Sequence, residues 1–553
     1  MMATLTLDRP VRVAPSQAGS VVTGTGTLLR FMLRRDRIRF PAWTLGLALL
    51  MTYFATALET FVESPADLEG LTAFSGSPAG ALFGGPGFGF DELTVERFLA
   101  GQYGLYVAIG AGLMGLLTVV RHTRAEERSG RAELVRANVV GRHAQLTAVL
   151  VLAAMMAALV ALLIGGLMAS RGYDVGGSVL FGASVGAVGL VFAGIAAVTV
   201  QLSEYPRAAS STAGALLGAA FVLRGLGDMA AAQGSGASWL SWLSPIGWSQ
   251  QTAPYVFDRW WPLAISLAFA AVSAAAGYAL SARRDFGAGL VPPRPGPARA
   301  AAWLDGPLAL AFRMHRASLI GWSVGLLTAG LAYGSFTQPL LDGFTEAPED
   351  MVAIMGGAEN LLDGYLGTMG LTMALAVGVY AVLAMQALRA EETEGRAESV
   401  LATAVSRPAW IGSHLAVTAV GVPWLLLVAG LGMGVGAAVS TGDTGSFGGL
   451  LLGHVAHTPA VWLLLAVAAL LYAVVPRVLP VIWVVLGYGL VVGYFAPILE
   501  IPTGAVRLSP FAHVGEHPLE DVSVLAVVVL TVLAAVTAQV ARLAFRRDVV
   551  GRT

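Results

Sequence analysis

Apolar runs of about 20 residues recur along nearly the whole chain, separated by short segments that hold almost all of its charge. A stretch of that length spans a hydrocarbon core of roughly 30 Å as a helix, and a helix or a closed barrel alone satisfies its backbone polar groups there. Only 12% of the residues are charged, against roughly 25% in an ordinary soluble domain, which leaves too little polar surface for a water-facing globule. We therefore expect an all-α integral membrane protein. The spans fall near 41–62, 99–120, 144–168, 176–202, 207–226 and 260–281, then 318–339, 366–388, 411–437, 449–474, 478–498 and 520–543.

Charge orients these spans. With the start of the chain inside, only Arg97, Arg171, Arg224, Arg259 and Arg507 escape the cytoplasmic side, as the positive-inside rule requires. Segments 63–98 and 340–365 are acidic and face outward on the same threading. Residues 1–29 lack the pattern of a cleavable signal peptide, and "RRDRIR" at 34–39 flanks an uncleaved first anchor. A net charge of −1 offers no basic surface for nucleic acid.

The composition also excludes chemistry. There is no Cys, hence no disulfide or thiolate ligand, and no Lys, hence no GxxxxGK[ST] phosphate loop. If ATP drives this protein, another chain binds it. That all 33 basic residues are Arg points to a high-GC bacterial genome.

The chain repeats itself. "RIRFPAWTLGL" (37–47) matches "RASLIGWSVGL" (316–326), aligning Arg37 with Arg316 and Trp43 with Trp322. "LSP" occurs at 243 and 508, and "RRD" at 283 and 546. Both copies begin inside and hold six spans, so the repeat is parallel, and two equivalent halves suit the walls of a central pathway.

Between the second and third spans of each copy lies the pattern AEExxGRAE, as "AEERSGRAEL" (125–134) and "AEETEGRAES" (390–399). Drawn as a continuous helix, it places Glu126, Gly130 and Glu133 on one face and Glu127 four residues before Arg131; the second copy gives Glu391, Gly395 and Glu398, with Glu392 before Arg396. A glycine between two carboxylates admits a partner backbone. A merely solvated connector needs charge but no particular order, so the recurrence of the order points to docking.

These segments resemble the coupling loop of type 2 ATP-binding-cassette exporter permeases, a pattern like E-x-x-x-G-[TR]-x-E followed by small residues. "EERSGRAELVRANVVGR" (126–142) and "EETEGRAESVLATAVSRPAW" (391–410) carry it. The double length and the junction "RRDFGAGLVPPRPGP" (283–297) are further similar to the actinobacterial polyketide-antibiotic, or tetronasin-like, multidrug subgroup. The resemblance implies two separate ATPase subunits bound at the two loops, with ATP and Mg held there and no cofactor in this chain. It implies a cell-membrane location, cytoplasmic termini and a hydrophobic small-molecule cargo. It divides the chain into 1–40 with an amphipathic connecting helix, a six-span half at 41–285, a Pro-rich linker and second connecting segment at 286–315, and a six-span half at 316–553. The family's second and fifth spans line the pathway, which names Met369, Met373, Tyr380, Trp483, Tyr488 and Tyr494; Arg224, at membrane depth, either pairs with Asp228 or snorkels outward. Five tryptophans at 239–261 form an interfacial belt or a re-entrant cap over the exit. His454 and His457 stand three apart without a carboxylate nearby, so no metal site is expected.

Two other classes fit a twelve-span chain. A proton-coupled secondary transporter would carry a GxxxDRxGR loop, which the sequence lacks, and a membrane-buried acid, of which none is obvious; a polytopic membrane enzyme needs paired acids, for which the acidic segment 63–98 offers material without a partner motif.

Overall fold

The computed structural model describes residues 20–62, 78–137, 140–234, 236–292, 296–338, 341, 358–496, 501–515 and 517–545. Parts of both acidic segments, part of the 291–299 linker and the "RRD" at 546 lie outside them. Among the described residues the protein is helical with no strand, and twelve helices are long and apolar enough to cross a membrane. Six lie in one compact unit, Met1–Pro295, and six in another, Gly296–Thr553.

In the first unit the spans are Arg39–Thr60, Val95–Arg128, Ala144–Ser170, Val175–Leu202, Pro206–Ala232 and Trp261–Ser281. The fourth is the hub, packed against the second, third, fifth and sixth. Lipid tails are as apolar as leucine, so helices in a bilayer associate through close packing, which small residues permit. A Cβ on Gly182 of the hub would lie 2.2 Å from the Ala161 carbonyl oxygen of the third span, and one on Gly115 of the second span 2.2 Å from that of Gly189. Backbone meets backbone at both crossings. Ahead of the first span an amphipathic helix, Thr25–Arg35, buries Leu28 and Met32 and packs on the third span.

The second unit has spans Pro307–Ser335, Leu362–Thr393, Arg407–Thr441, Phe447–Val474, Pro476–Tyr494 and Val524–Ala544. Its fourth span, the tenth overall, again lies among the second, third, fifth and sixth of its unit. Its first span begins at Pro307 rather than near 318, because Pro307 sits at the helix start and the amphipathic "PLALAFRMHR" continues the helix into the membrane segment. No separate connecting helix precedes it in the described residues.

Spans seven and nine make the closest crossing of this unit, through a GxxxG on each helix. A Cβ on Gly334 would sit 2.2 Å from the Met433 carbonyl oxygen, and one on Gly436 2.3 Å from that of Leu331. An added methyl cannot be accommodated without separating the helices. Gly334→Ala or Gly436→Ala is therefore expected to lower stability by ~1–3 kcal/mol, while Gly448→Ala, whose Cβ meets nothing within 4 Å, should leave it within about 0.5 kcal/mol of the parent. Thermal unfolding in detergent checks this, and equal losses at Gly448 and Gly334 would refute the packing argument.

Candidate functional site

The two charged loops are not single helices. In the first copy the second span breaks at Thr123, a short helix runs Arg124–Arg128, and another runs Arg131–Arg136. Gly130 joins them at φ +73°, a left-handed conformation that only glycine adopts without strain. A Cβ there would meet nothing within 4 Å. The glycine thus supplies a turn, and the continuous face Glu126–Gly130–Glu133 expected from helical spacing does not form.

The turn sorts the carboxylates. Glu126 is buried and accepts from Arg35 of the amphipathic helix, with Arg131 3.9 Å away. Glu127 takes Arg284 through two bonds, Nη2 to Oε1 at 2.6 Å and Nη1 to Oε2 at 3.1 Å, and Arg124 Nη1 at 2.8 Å, so it does not pair with Arg131. Glu133 and Leu134 are left facing outward beside exposed Arg128, Ser129 and Arg131. Ala132 points inward and seats the second short helix.

Two anchors hold this loop, and sequence reading named neither. The first is Asp36, which accepts from Arg121 Nε at 3.1 Å and lies 2.6 Å from His122 Nε2. Beside it, Gly141 and His143 donate backbone N–H to the Thr23 and Val21 carbonyls, tying the far end of the loop to the same segment. The second anchor is the junction after the sixth span. Arg124, fully buried, donates to the Val200 carbonyl and, at 2.9 Å, to that of Ala288; Arg284 also reaches Gln201 at 2.5 Å. Leu290 and Val291 then donate to the carbonyls of Gln201 and Leu202. Breaking a buried charge network by removing one partner costs ~3–5 kcal/mol.

The second loop is built around the same glycine turn with different pairing. The helix of span eight runs to Thr393 through Glu391 and Glu392, Gly395 turns at φ +73°, and Arg396–Leu401 follows. Arg396 donates to both oxygens of Glu391 at 2.6 Å and to Glu394, and these bonds, Glu391's first, hold its guanidinium above the ordinary value. Ala397 is buried like Ala132, and Glu398 and Ser399 are exposed like Glu133 and Leu134. Ser406 caps the next span by accepting from Ala409 N–H at 3.3 Å.

The pathway candidates divide. Met373 lines a groove of ≈ 580 Å³ with Trp322, Leu326, Tyr333 and Thr372, and Trp483 is exposed. Met369 is half-buried. Tyr380 is buried in the core of its unit against Trp322, Tyr488 donates to the Ala505 carbonyl at 2.6 Å, and Tyr494 bonds Thr372. Arg224 does not snorkel. It is fully buried, 3.3 Å from Asp228, and donates to the Ala81 and Leu82 carbonyls, while Asp228 accepts from Ser241 at 2.6 Å.

That pair clamps two pieces beyond the span, the helix Pro78–Phe83 and the turn Ser238–Leu243. The chain then folds back against the fifth and fourth spans. Ser244 donates to Ala220 at 2.6 Å, and the short helix Pro245–Gln250 reaches the hub through Ser249 and Ser184. Of the five tryptophans, Trp248 is buried in this short helix, and Trp242 stacks on Trp261 at 5.0 Å. His454 and His457 are both buried, and no cluster of metal-ligating side chains occurs among the described residues.

Comparison with known proteins agrees with this architecture. The family described as "Multidrug efflux system permease Rv1217c, C-terminal domain" matches residues 26–280 and 304–546, one segment in each copy of the repeat. The "Multidrug efflux system permease protein Rv1217c" of Mycobacterium tuberculosis is 38% identical over 560 residues, covering 99% of each chain. This multi-pass membrane chain belongs to the Rv1217c family of multidrug efflux system permeases.

Proposed function

We propose that the chain is the transmembrane permease subunit of an ATP-driven exporter, energised by two separate ATPase subunits that dock on the two loops. The observation that carries this reading is the pair of glycine turns. Both present an exposed glutamate, Glu133 or Glu398, from a short helix seated by a buried alanine, and neither belongs to a nucleotide site, since the chain has no Lys for a phosphate loop. ATP and Mg belong to the partners; this chain supplies the membrane path, and its termini lie in the cytoplasm. The cargo is hydrophobic or amphipathic, of the drug and polyketide-antibiotic kind; the relative's name supports drugs in general, and the Met373 groove, whose apolar wall binds by area rather than by directed bonds, supports apolar ones.

In this reading Glu126, Glu127, Arg131, Glu391, Glu392 and Arg396 shape the loops, Gly130 and Gly395 turn them, and the outward residues make the contact. Arg35 and Arg284 transmit force from the docked loop to the amphipathic helix and to the end of the sixth span, because both are bonded to it.

Three outcomes follow. The purified chain alone hydrolyses no ATP, and with its partner it copurifies as one permease to two ATPases; hydrolysis by the isolated chain would sink the partnership. Glu133→Arg with Glu398→Arg reduces the ATPase recovered in a pull-down by roughly 5- to 30-fold, as two exposed pairs of ~0.5–1 kcal/mol predict, and leaves membrane insertion unchanged; undiminished recovery and transport would remove these loops from coupling. Met373→Ala, and separately Trp483→Ala, lowers resistance to apolar drugs in a sensitive host by a few-fold and unequally between compounds. Export of a hydrophilic polymer with no gain in resistance to any apolar drug would overturn the cargo assignment.

A further inference from the structure

A cavity of ≈ 570 Å³ opens in the first unit where three span ends meet at the charged side of the membrane. The first span begins there at Arg39, the second ends there with Arg121, and the fifth begins there with Pro206 and Arg207. Trp43, Leu117 and Met156 form an apolar wall beneath the three guanidinium groups. Asp36 is the only acid on the lining, and it already accepts from Arg121 Nε at 3.1 Å and lies 2.6 Å from His122 Nε2. Arg39 and Arg207 are exposed, and neither guanidinium has a hydrogen bond or ion pair to a described residue. Arg121 spends its Nε–H on Asp36 and keeps its remaining donors.

From this arrangement we propose that the cavity holds one anionic phospholipid of the leaflet on the charged side, its phosphate between Arg39, Arg121 and Arg207 and its acyl chains along Trp43 and Leu117. Charge complementarity selects the headgroup, because arginine forks match phosphate oxygens and basic pockets between spans attract anionic lipid. The volume suits a headgroup and the first part of the chains, the rest lying in the bilayer. The second copy lacks the clamp. Its repeat places Ser318 where Arg39 stands and Gln386 where Arg121 stands, and leaves Arg477, in the same Pro-Arg pair, as the one counterpart cation. The proposal does not depend on the transport reading, since it concerns a resident lipid and no turnover.

The test incubates the detergent-purified full chain with vesicles of equal phosphatidylglycerol and phosphatidylcholine, removes excess lipid, and counts retained lipids by native mass spectrometry. The parent is expected to retain phosphatidylglycerol in preference to phosphatidylcholine. Arg39→Gln with Arg207→Gln should weaken retention about fivefold for each arginine, roughly thirty-fold together, with an unchanged elution profile and helix content, since both side chains are exposed. Arg477→Gln should retain lipid as the parent does. Equal retention of both lipids by the parent, parental retention by the double variant, or complete displacement by inorganic phosphate would each overturn the proposal, the last by assigning the cavity to a soluble anion.

Discussion

Helices immersed in lipid gain no hydrophobic energy by meeting one another, so each unit depends on how closely backbones can approach. This explains why the fourth span of the first copy stands at the centre of its unit: its neighbours converge on a helix that offers little side-chain bulk. In the first unit that helix carries the glycines itself, at Gly182, Gly186, Gly189 and Gly194. In the second, the tightest crossing has moved to spans seven and nine, where glycines on both helices interlock. The duplicated topology is kept while the residues that make it tight have diverged.

Electrostatics takes over where the helices leave the membrane. The first loop has its inward carboxylates committed to Arg35, Arg124 and Arg284, so its shape is set by residues from three separate parts of the chain. In the second loop the bonds of Arg396 go to Glu391 and Glu394, all within the loop. The shared glycine turn thus carries two modes of support, one long-range and one local. Positions that look equivalent in an alignment of the copies differ in what their removal would disturb.

The spans were legible in the sequence because hydropathy is read inside a short window and the bilayer imposes length without help from tertiary contacts. The repeat made the loops legible as well. What escaped was direction: helical spacing put Glu126 outward and joined Glu127 to Arg131, and a single residue at φ +73° undid both. Beside the local pair of Arg124 with Glu127, the cations that hold Glu126 and Glu127 lie 91 and 157 positions away, beyond any local rule. The i,i+4 spacing of Arg224 and Asp228 suggested their pairing, yet nothing local announced the Ala81 and Leu82 carbonyls that complete the site. The long N-terminal extension of span seven was missed because its charges resemble a topogenic flank, whereas its backbone simply continues the helix.

The strap of residues 284–291 bears on how a duplicated gene can be organised. These residues end the first copy and also supply acceptors and a countercharge to its loop, through Ala288 to Arg124 and Arg284 to Glu127. A first copy cut at the end of the sixth span would leave a buried guanidinium short of an acceptor and a buried carboxylate without its bidentate partner. A cut between the copies that spares 284–291 would leave the buried charges of the first loop satisfied, whereas a cut ahead of Arg284 would strand them, so the first copy extends functionally beyond its last span.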